Sequence, residues 1–273
     1  MDVKEKYQHL LELLKKRERL AVAFSSGVDS TFLLYAARQA LGENVLALTA
    51  QSVFFPENEG EEASSFCREN GIRHRIVPFD VLRTPGVLRN PEDRCYLCKR
   101  ALFERFLTIA RGQGIESVAE GSNLDDLGDY RPGLRAISEL GILSPLREAE
   151  LTKAEIRLLS RQFGLSTWNK PSFACLASRF VYGESLTENK LHMVEEAEKL
   201  LRSLGFVQFR VRIHGTMARI EVLPEQFKRM LGKEILQNVT DRLHALGFTY
   251  VSMDLDGYRT GSMNLLREDD GGE

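Results

Sequence analysis

Three stretches of this sequence hold residue types whose spacing could do chemistry. The first is AFSSGVDST, Ala23 to Thr31, where small and hydroxylated residues separate an apolar run from a helical pattern. A strand, a tight loop and a helix N-terminus together make an anion site. The first helical amides have no intrahelical acceptor, and the helix dipole adds partial positive charge. Small residues let backbone approach phosphate oxygens, and the hydroxyls of Ser25, Ser26 and Ser30 add donors. No Gly-Lys-Ser/Thr ending follows, which excludes a Walker-type loop. The plainer alternative is an ordinary strand-to-helix turn capped by Ser25.

The second stretch is RCYLCK, with Cys95 and Cys98 at i and i+3 near a helix start, and it has a distant counterpart in Cys175 of SFACLASR. Two close thiols and one remote one can converge in a fold. Three thiolates suit a four-iron four-sulfur cluster with one iron open, or zinc with a fourth ligand from elsewhere. A redox pair and unligated thiols are the alternatives, and Cys67, alone on its helix, reads as a buried unligated thiol. The third stretch is VQFRVRIHG. Its alternation puts Val207, Phe209, Val211 and Ile213 on an apolar face and Gln208, Arg210, Arg212 and His214 on the other. After a turn, ARIEV places Arg219 and Glu221 on a matching face. Paired arginines on a rigid strand suit bidentate recognition of phosphate or carboxylate. Arg179, four residues after Cys175, and Ser178 are near enough in sequence to join them, with Arg259 and Ser262 as further contributors. A solvated face of a half-buried sheet is the alternative.

The elements that must position these residues alternate. Val3, Tyr7, Leu10, Leu11 and Leu14 recur at helical spacing. Strands are expected at 20–24, 44–50, 73–80 and 117–121, and helices from about Ser30, at 59–69, 96–110 and 151–164. This order predicts βαβ units and an α/β parallel sheet over 1–164. Residues 165–182, rich in turn formers, read as a linker carrying site residues. From 183 to 273 a small α+β domain is expected, in the order helix, two strands, helix, strand. Within it LLRSLGF at 200–206 is echoed by RLHALGF at 242–248, each a helix end, a glycine stop and a strand start. The polar tail REDDGGE is expected to be disordered.

The 273 residues are 43% hydrophobic and 28% charged, enough to bury a sizeable core, and carry a net charge of −2. That balance advertises no nucleic-acid partner. No apolar run is long enough to span a bilayer, and the charged amphipathic N-terminus is no secretory signal. A cytoplasmic protein with reduced cysteines is expected.

SSGVDS, Ser25 to Ser30, resembles the SGGxDS pyrophosphate loop of the PP-loop ATP pyrophosphatases, which cleave ATP to AMP and pyrophosphate and often adenylate a substrate. The resemblance implies an ATP site formed by Ser25, Ser26, Gly27, Val28, Asp29 and Ser30. Ser26 stands where the pattern has glycine, and a Cβ there narrows the cradle and penalises positive φ. LTAQS implies backbone contacts from Thr49 and Ala50 to adenine. EGSNLDD resembles a second segment of the superfamily, implying roles for Gly121, Asn123 and Asp125 toward nucleotide or Mg²⁺.

RCYLCKRALF, SPLREAELTKAEIR, KPSFACLASR and LDGYRTGSMN, taken with the loop, resemble the sulfur-insertion enzymes that build lactate racemase's nickel-pincer cofactor. That resemblance covers nearly the whole chain. It implies adenylation of a carboxylate of pyridinium-3,5-biscarboxylic acid mononucleotide and replacement of its oxygen by sulfur. Some members sacrifice one cysteine sulfur; others carry three cysteines and use a cluster. Cys175 matches the sulfur-bearing position, and Cys95 and Cys98 add the ligands of the cluster-bearing type. By the same resemblance Asp29 joins Cys175 as a catalytic residue, and Ser178, Arg179, Glu198, Arg210, Arg212 and Glu221 form the substrate pocket; Lys99, directly after Cys98, is placed to neutralise phosphate charge and counts as a third catalytic candidate. Lys99 alternatively reads as a solvated helix lysine, and Lys153 and Lys170 read as surface residues. Family members are often homo-oligomers. Two other readings stay open: a tRNA-thiolating enzyme with a basic RNA surface, and a nucleotide-binding regulator with a structural metal.

Overall fold

The N-terminal helix α1 (Val3–Lys15) starts with a reciprocal cap. Asp2 accepts from the Glu5 amide, and the Glu5 carboxylate accepts from the Asp2 amide. Then follow β1 (Leu20–Ala23), α2 (Val28–Leu41), β2 (Val45–Gln51), α3 (Asn58–Glu69), β3 (Arg73–Pro78), α4 (Arg94–Arg111), β4 (Ser117–Ala119), α5 (Pro132–Glu139), α6 (Pro145–Glu148) and α7 (Lys153–Gln162). The computed structural model describes residues 1–56, 58–128, 132–171 and 174–259.

The first four strands run parallel in the order β3-β2-β1-β4, the α/β parallel sheet that the alternation predicts. Parallel neighbours need crossovers, so helices cover the sheet and the strands read as apolar runs. β1 lies inside the sheet, with Leu20, Ala21 and Val22 fully buried. α2 is apolar nearly all round because it packs on α1, α7 and the strands together. Two short helices not expected from the sequence, α5 and α6, each begin at a proline, whose fixed φ and missing N–H suit the first helical turn. α7 starts at Lys153, two residues later than its apolar pattern, because Thr152 and Glu155 form a capping box.

Two compact units are present, Met1–Pro85 with Asp93–Phe173 and Gly86–Glu92 with Ala174–Glu273. The second holds α8 (Glu188–Ser203), β5 (Phe209–His214), β6 (Met217–Val222), α9 (Phe227–Met230), α10 (Lys233–Ala245) and β7 (Tyr250–Met253). Its sheet order is β5-β6-β7, with β5 and β6 antiparallel and β6 and β7 parallel. The repeated helix stops are real: Gly205 and Gly247 take φ of 80° and 107°, and each is followed by a buried phenylalanine, Phe206 and Phe248. Gly86–Glu92 joins this unit through backbone bonds from Gly183 to the Asn90 carbonyl and from Leu186 to the Leu88 carbonyl. The Asn90 side chain, fully buried, donates to the Val181 carbonyl at 2.6 Å. Val207 does not join the apolar face expected of it. It precedes β5 and is 68% exposed. Ser262 and the acidic tail lie outside the described residues. Among the described residues no helix is long and apolar enough to cross a membrane.

Candidate functional site: a phosphate loop and a buried arginine cluster

In the first unit, the chain leaves β1 at Ala23 and enters α2 at Val28, with Gly27 as the N-cap. The loop is organised by Ser30, whose hydroxyl accepts from the Ser25 amide at 3.2 Å, donates to the Gly27 carbonyl at 3.3 Å and meets the Ser25 hydroxyl at 3.1 Å. Ser26 adopts φ of 53°, the left-handed conformation that the glycine of the pattern reaches at no steric cost. A side chain in that region costs about 1–2 kcal/mol. The loop entrance is braced by Thr49, whose hydroxyl donates to the Phe24 carbonyl at 2.8 Å and accepts from His74 Nε2 at 2.9 Å. Burial holds the His74 pKa below its ordinary value, consistent with a neutral ring carrying its proton on Nε2. Ala50, at the end of β2, is half-buried.

The EGSNLDD segment meets this loop from the end of β4. Gly121 lies against the first turn of α2: a Cβ there would sit 3.0 Å from the Ser30 nitrogen and 3.2 Å from its Cα. Asn123 Nδ2 donates to Asp29 Oδ1 at 3.3 Å, while its own side-chain oxygen accepts from the Asp125 amide. Asp125 accepts from the Lys153 amide at 2.8 Å, and the Lys153 ammonium donates to Asp29 Oδ2. Glu120 accepts from Ser122 and Ser144 and fixes the base of the segment. The arrangement presents a helix N-terminus, hydroxyls, a carboxylate and a lysine together, a set suited to phosphate with a hard cation.

Two lysines expected at the surface are part of this unit's loop environment. Lys153 pairs with Asp29, and Lys170 donates to the Ser26 carbonyl at 3.0 Å and to Glu62 at 2.5 Å. Both ammonium groups are drawn in by acceptors distant in sequence, which helical periodicity does not report. The one sequence signal for Lys153 is its place beside the capping box Thr152/Glu155. Glu59, in the first turn of α3, is pushed up to about 7, chiefly by burial, against the opposing charge of Lys170. Lys99 lies on α4 with its aliphatic stem against α5, where a Cβ on Gly133 would stand 2.7 Å from its Cδ.

Cys95 and Cys98 occupy the start of α4, both half-buried, and buried Arg94 approaches the Cys95 sulfur at 3.7 Å. Their i, i+3 spacing puts the two cysteines on neighbouring turns of one helix. Cys175 belongs to the second unit. Among the described residues, no three His, Cys, Asp or Glu side chains stand together as a metal site. Cys67 is buried at 1% exposure, and desolvation pushes its pKa up to about 12, as fits an inert core thiol.

The second unit gathers the residues expected of a substrate pocket. β5 pairs with β6 so that Arg210 lies opposite Glu221 and Arg212 opposite Arg219. Arg179, 1% exposed, forms a bidentate pair with Glu198 of α8 at 2.9 and 2.8 Å. Its remaining nitrogen donates to the carbonyls of Ala174 and Cys175 and to the Ser178 hydroxyl, at 2.6, 3.1 and 2.9 Å. Arg212 repeats the pattern: bidentate to Glu221 at 3.1 and 2.9 Å, with its third donor on the Ser178 carbonyl at 3.0 Å. Arg219 reaches the same carboxylate at 3.2 Å. The polar face of β5 is therefore buried under the Cys175 segment and α8 rather than solvated. Burial opposes the Arg179 charge, but the Glu198 carboxylate outweighs it and raises the pKa. Arg210 is held below its ordinary value by burial and then by the neighbouring Arg179 charge, and its guanidinium lies 5.2 Å from the Tyr258 ring. Arg179, Arg210 and Arg212 are thus gathered, buried, with the carboxylates of Glu198 and Glu221 on this face of the unit. Arg259 instead makes an exposed pair with Asp256 at 2.8 Å.

No family model matches the chain. It is 41% identical over 258 residues to the pyridinium-3,5-bisthiocarboxylic acid mononucleotide synthase of Lactiplantibacillus plantarum, covering 93% of this chain and 92% of that protein. An uncharacterized protein of a Synechocystis strain is 40% identical over 264 residues, 97% of this chain and 98% of its own. A subunit of the glutamine-hydrolyzing GMP synthase of Methanococcus maripaludis is 28% identical over 175 residues, 60% of this chain and 55% of its own. With the parallel sheet and the SSGVDS loop in place, these relations make the chain a member of the pyridinium-3,5-bisthiocarboxylic acid mononucleotide synthase family, within the PP-loop superfamily.

Proposed function

We propose that the protein is an ATP-dependent sulfur-inserting synthase that converts a carboxylate of pyridinium-3,5-biscarboxylic acid mononucleotide to a thiocarboxylate, a step toward the nickel-pincer cofactor. The observation that carries this reading is the 41% identity, over most of both chains, to a protein named for the bisthiocarboxylic product. The phosphate loop and the buried arginine cluster supply matching chemistry, one for a nucleotide and one for an anionic substrate.

A carboxylate resists nucleophiles because it is anionic and its oxygen leaves poorly. Attack of that oxygen on the α-phosphorus of ATP forms an acyl-adenylate and releases pyrophosphate. The α2 amides and the hydroxyls of Ser25 and Ser30 hold the departing phosphates, and Lys153 neutralises charge as it grows. Asp29, with Asn123 and Asp125 beside it, is the natural holder of Mg²⁺, which would screen the phosphates. Sulfide-level sulfur delivered beside Cys175 then attacks the acyl carbon, forming the carbon–sulfur bond as the carbon–oxygen bond breaks and AMP leaves with its electron pair, while the cysteine side chain stays intact. Arg179 and Arg212 fix the backbone that presents Cys175, and Arg210 receives the substrate's phosphate or second carboxylate. Cys95, Cys98 and Cys175 are assigned as ligands of a four-iron four-sulfur cluster, which when bound would supply exchangeable sulfide. Lys99 and a homo-oligomeric, cytoplasmic state complete the proposal.

The test is nucleotide analysis during turnover. The proposal expects AMP and pyrophosphate in equal amounts, formed only when the biscarboxylate mononucleotide is present. Release of ADP and phosphate, or no dependence on that substrate, would count against it.

A further inference from the structure

Ser26 is buried, at 3% exposure, yet holds φ of 53° in a loop that must present amides to an anion. Two ties keep it there. Its hydroxyl donates to the Glu59 carbonyl at 3.3 Å, and its own carbonyl accepts from Lys170 Nζ at 3.0 Å. Lys170 is itself anchored. Its ammonium pairs with Glu62 of α3, and its carbonyl and that of Trp168 accept from the Arg157 guanidinium of α7, at 2.9 and 2.7 Å. The 3-10 turn Ser166–Asn169 that delivers Lys170 packs on α7 and α2.

The Ser26 carbonyl shares one planar peptide with the Gly27 N–H, and the peptide is trans, so pinning the oxygen aims the N–H the opposite way. We propose that Lys170 is a positioning residue for the phosphate loop. By holding the Ser26 carbonyl, it keeps the Gly27 amide turned into the anion cradle in a chain that has serine where glycine would take this conformation unaided. The role rests on the ATP-site reading of the loop but requires no sulfur chemistry. It makes Lys170 and Ser26 energetically coupled: the lysine matters because residue 26 has a side chain.

The experiment is a double-mutant cycle on the full chain, with Lys170→Gln, Ser26→Gly and the double variant, titrated calorimetrically with magnesium pyrophosphate and with magnesium ATP. Circular dichroism melts check that each variant is folded, and the Gly27 amide resonance reports the loop directly. The expected result is a loss of about tenfold in affinity for Lys170→Gln in the Ser26 chain, the order of one charge-assisted hydrogen bond. In the Ser26→Gly background the same substitution should cost less than about twofold, and Lys170→Arg should rescue most of the loss in the Ser26 chain. A shift of the Gly27 resonance should accompany Lys170→Gln only with serine at 26. Equal losses in both backgrounds would overturn the proposal and make Lys170 a direct phosphate ligand, and no loss in either would make it a surface ion pair. Failure of the unsubstituted protein to bind either ligand would defeat the ATP-site reading itself.

Discussion

Asp29 is the meeting point of the first unit's loop, taking a hydrogen bond from Asn123 and an ion pair from Lys153. The loop's place between β1 and α2 was legible, because Ser25 to Ser30 are contiguous and their small, hydroxylated side chains separate an apolar run from a helical pattern. Lys153 was not, since its partner lies 124 positions away and nothing in a helical pattern marks which lysine turns inward. Exchanging it is therefore informative. Lys153→Met should slow pyrophosphate release by about ten- to a hundredfold, the scale of a lost charge-assisted contact, while the melting curve stays close to that of the parent. Steady-state assays with saturating substrate check this, and an unchanged rate would return Lys153 to the role of a loop brace.

Strand β5 shows how far alternation reaches. It correctly put Arg210 and Arg212 on one face and predicted the matching Arg219 and Glu221, but it carried no information about what covers that face. Coverage is set by α8 and the Cys175 segment, whose Glu198 and carbonyl oxygens absorb the arginine donors. Arg179→Ala would strand the Glu198 carboxylate in the interior and should destabilise the fold by about 3–5 kcal/mol in urea unfolding. A change below about 1 kcal/mol would place the pair in solvent. α3 contributes a pH effect. The folded-state pKa of Glu59 lies near 7, above the usual 4.5, mainly through burial, with Lys170 and Glu62 as the charges facing it. A raised carboxyl pKa stabilises the fold fully below its unfolded value, and that contribution is lost as pH rises through the folded one. The melting temperature should therefore fall between about pH 5 and pH 8, and Glu59→Gln should flatten the fall. An identical slope in the variant would contradict the assignment.

The chain forms two compact units, a parallel α/β sheet with the SSGVDS loop and a small α+β unit with the buried arginines and Cys175. The alternation of strands and helices made the parallel sheet legible, and the repeated Leu-Gly-Phe stops marked two helix ends of the second unit, but the segment 165–182 divides between the units rather than linking them. The passage of Gly86–Glu92 into the second unit was not legible, because it depends on backbone pairing with residues near 183 and 186. Under the proposed function, sulfur transfer is the step the other residues serve. It is tested most directly by incubating anaerobically iron- and sulfide-reconstituted protein with ATP, Mg²⁺ and the biscarboxylate mononucleotide, and weighing the product by mass spectrometry. Replacement of carboxylate oxygen by sulfur over several turnovers is expected, reduced in Cys95→Ser and Cys98→Ser and absent in Cys175→Ser. A product that keeps all its oxygens while ATP is consumed, or full sulfur insertion by Cys175→Ser, would contradict it.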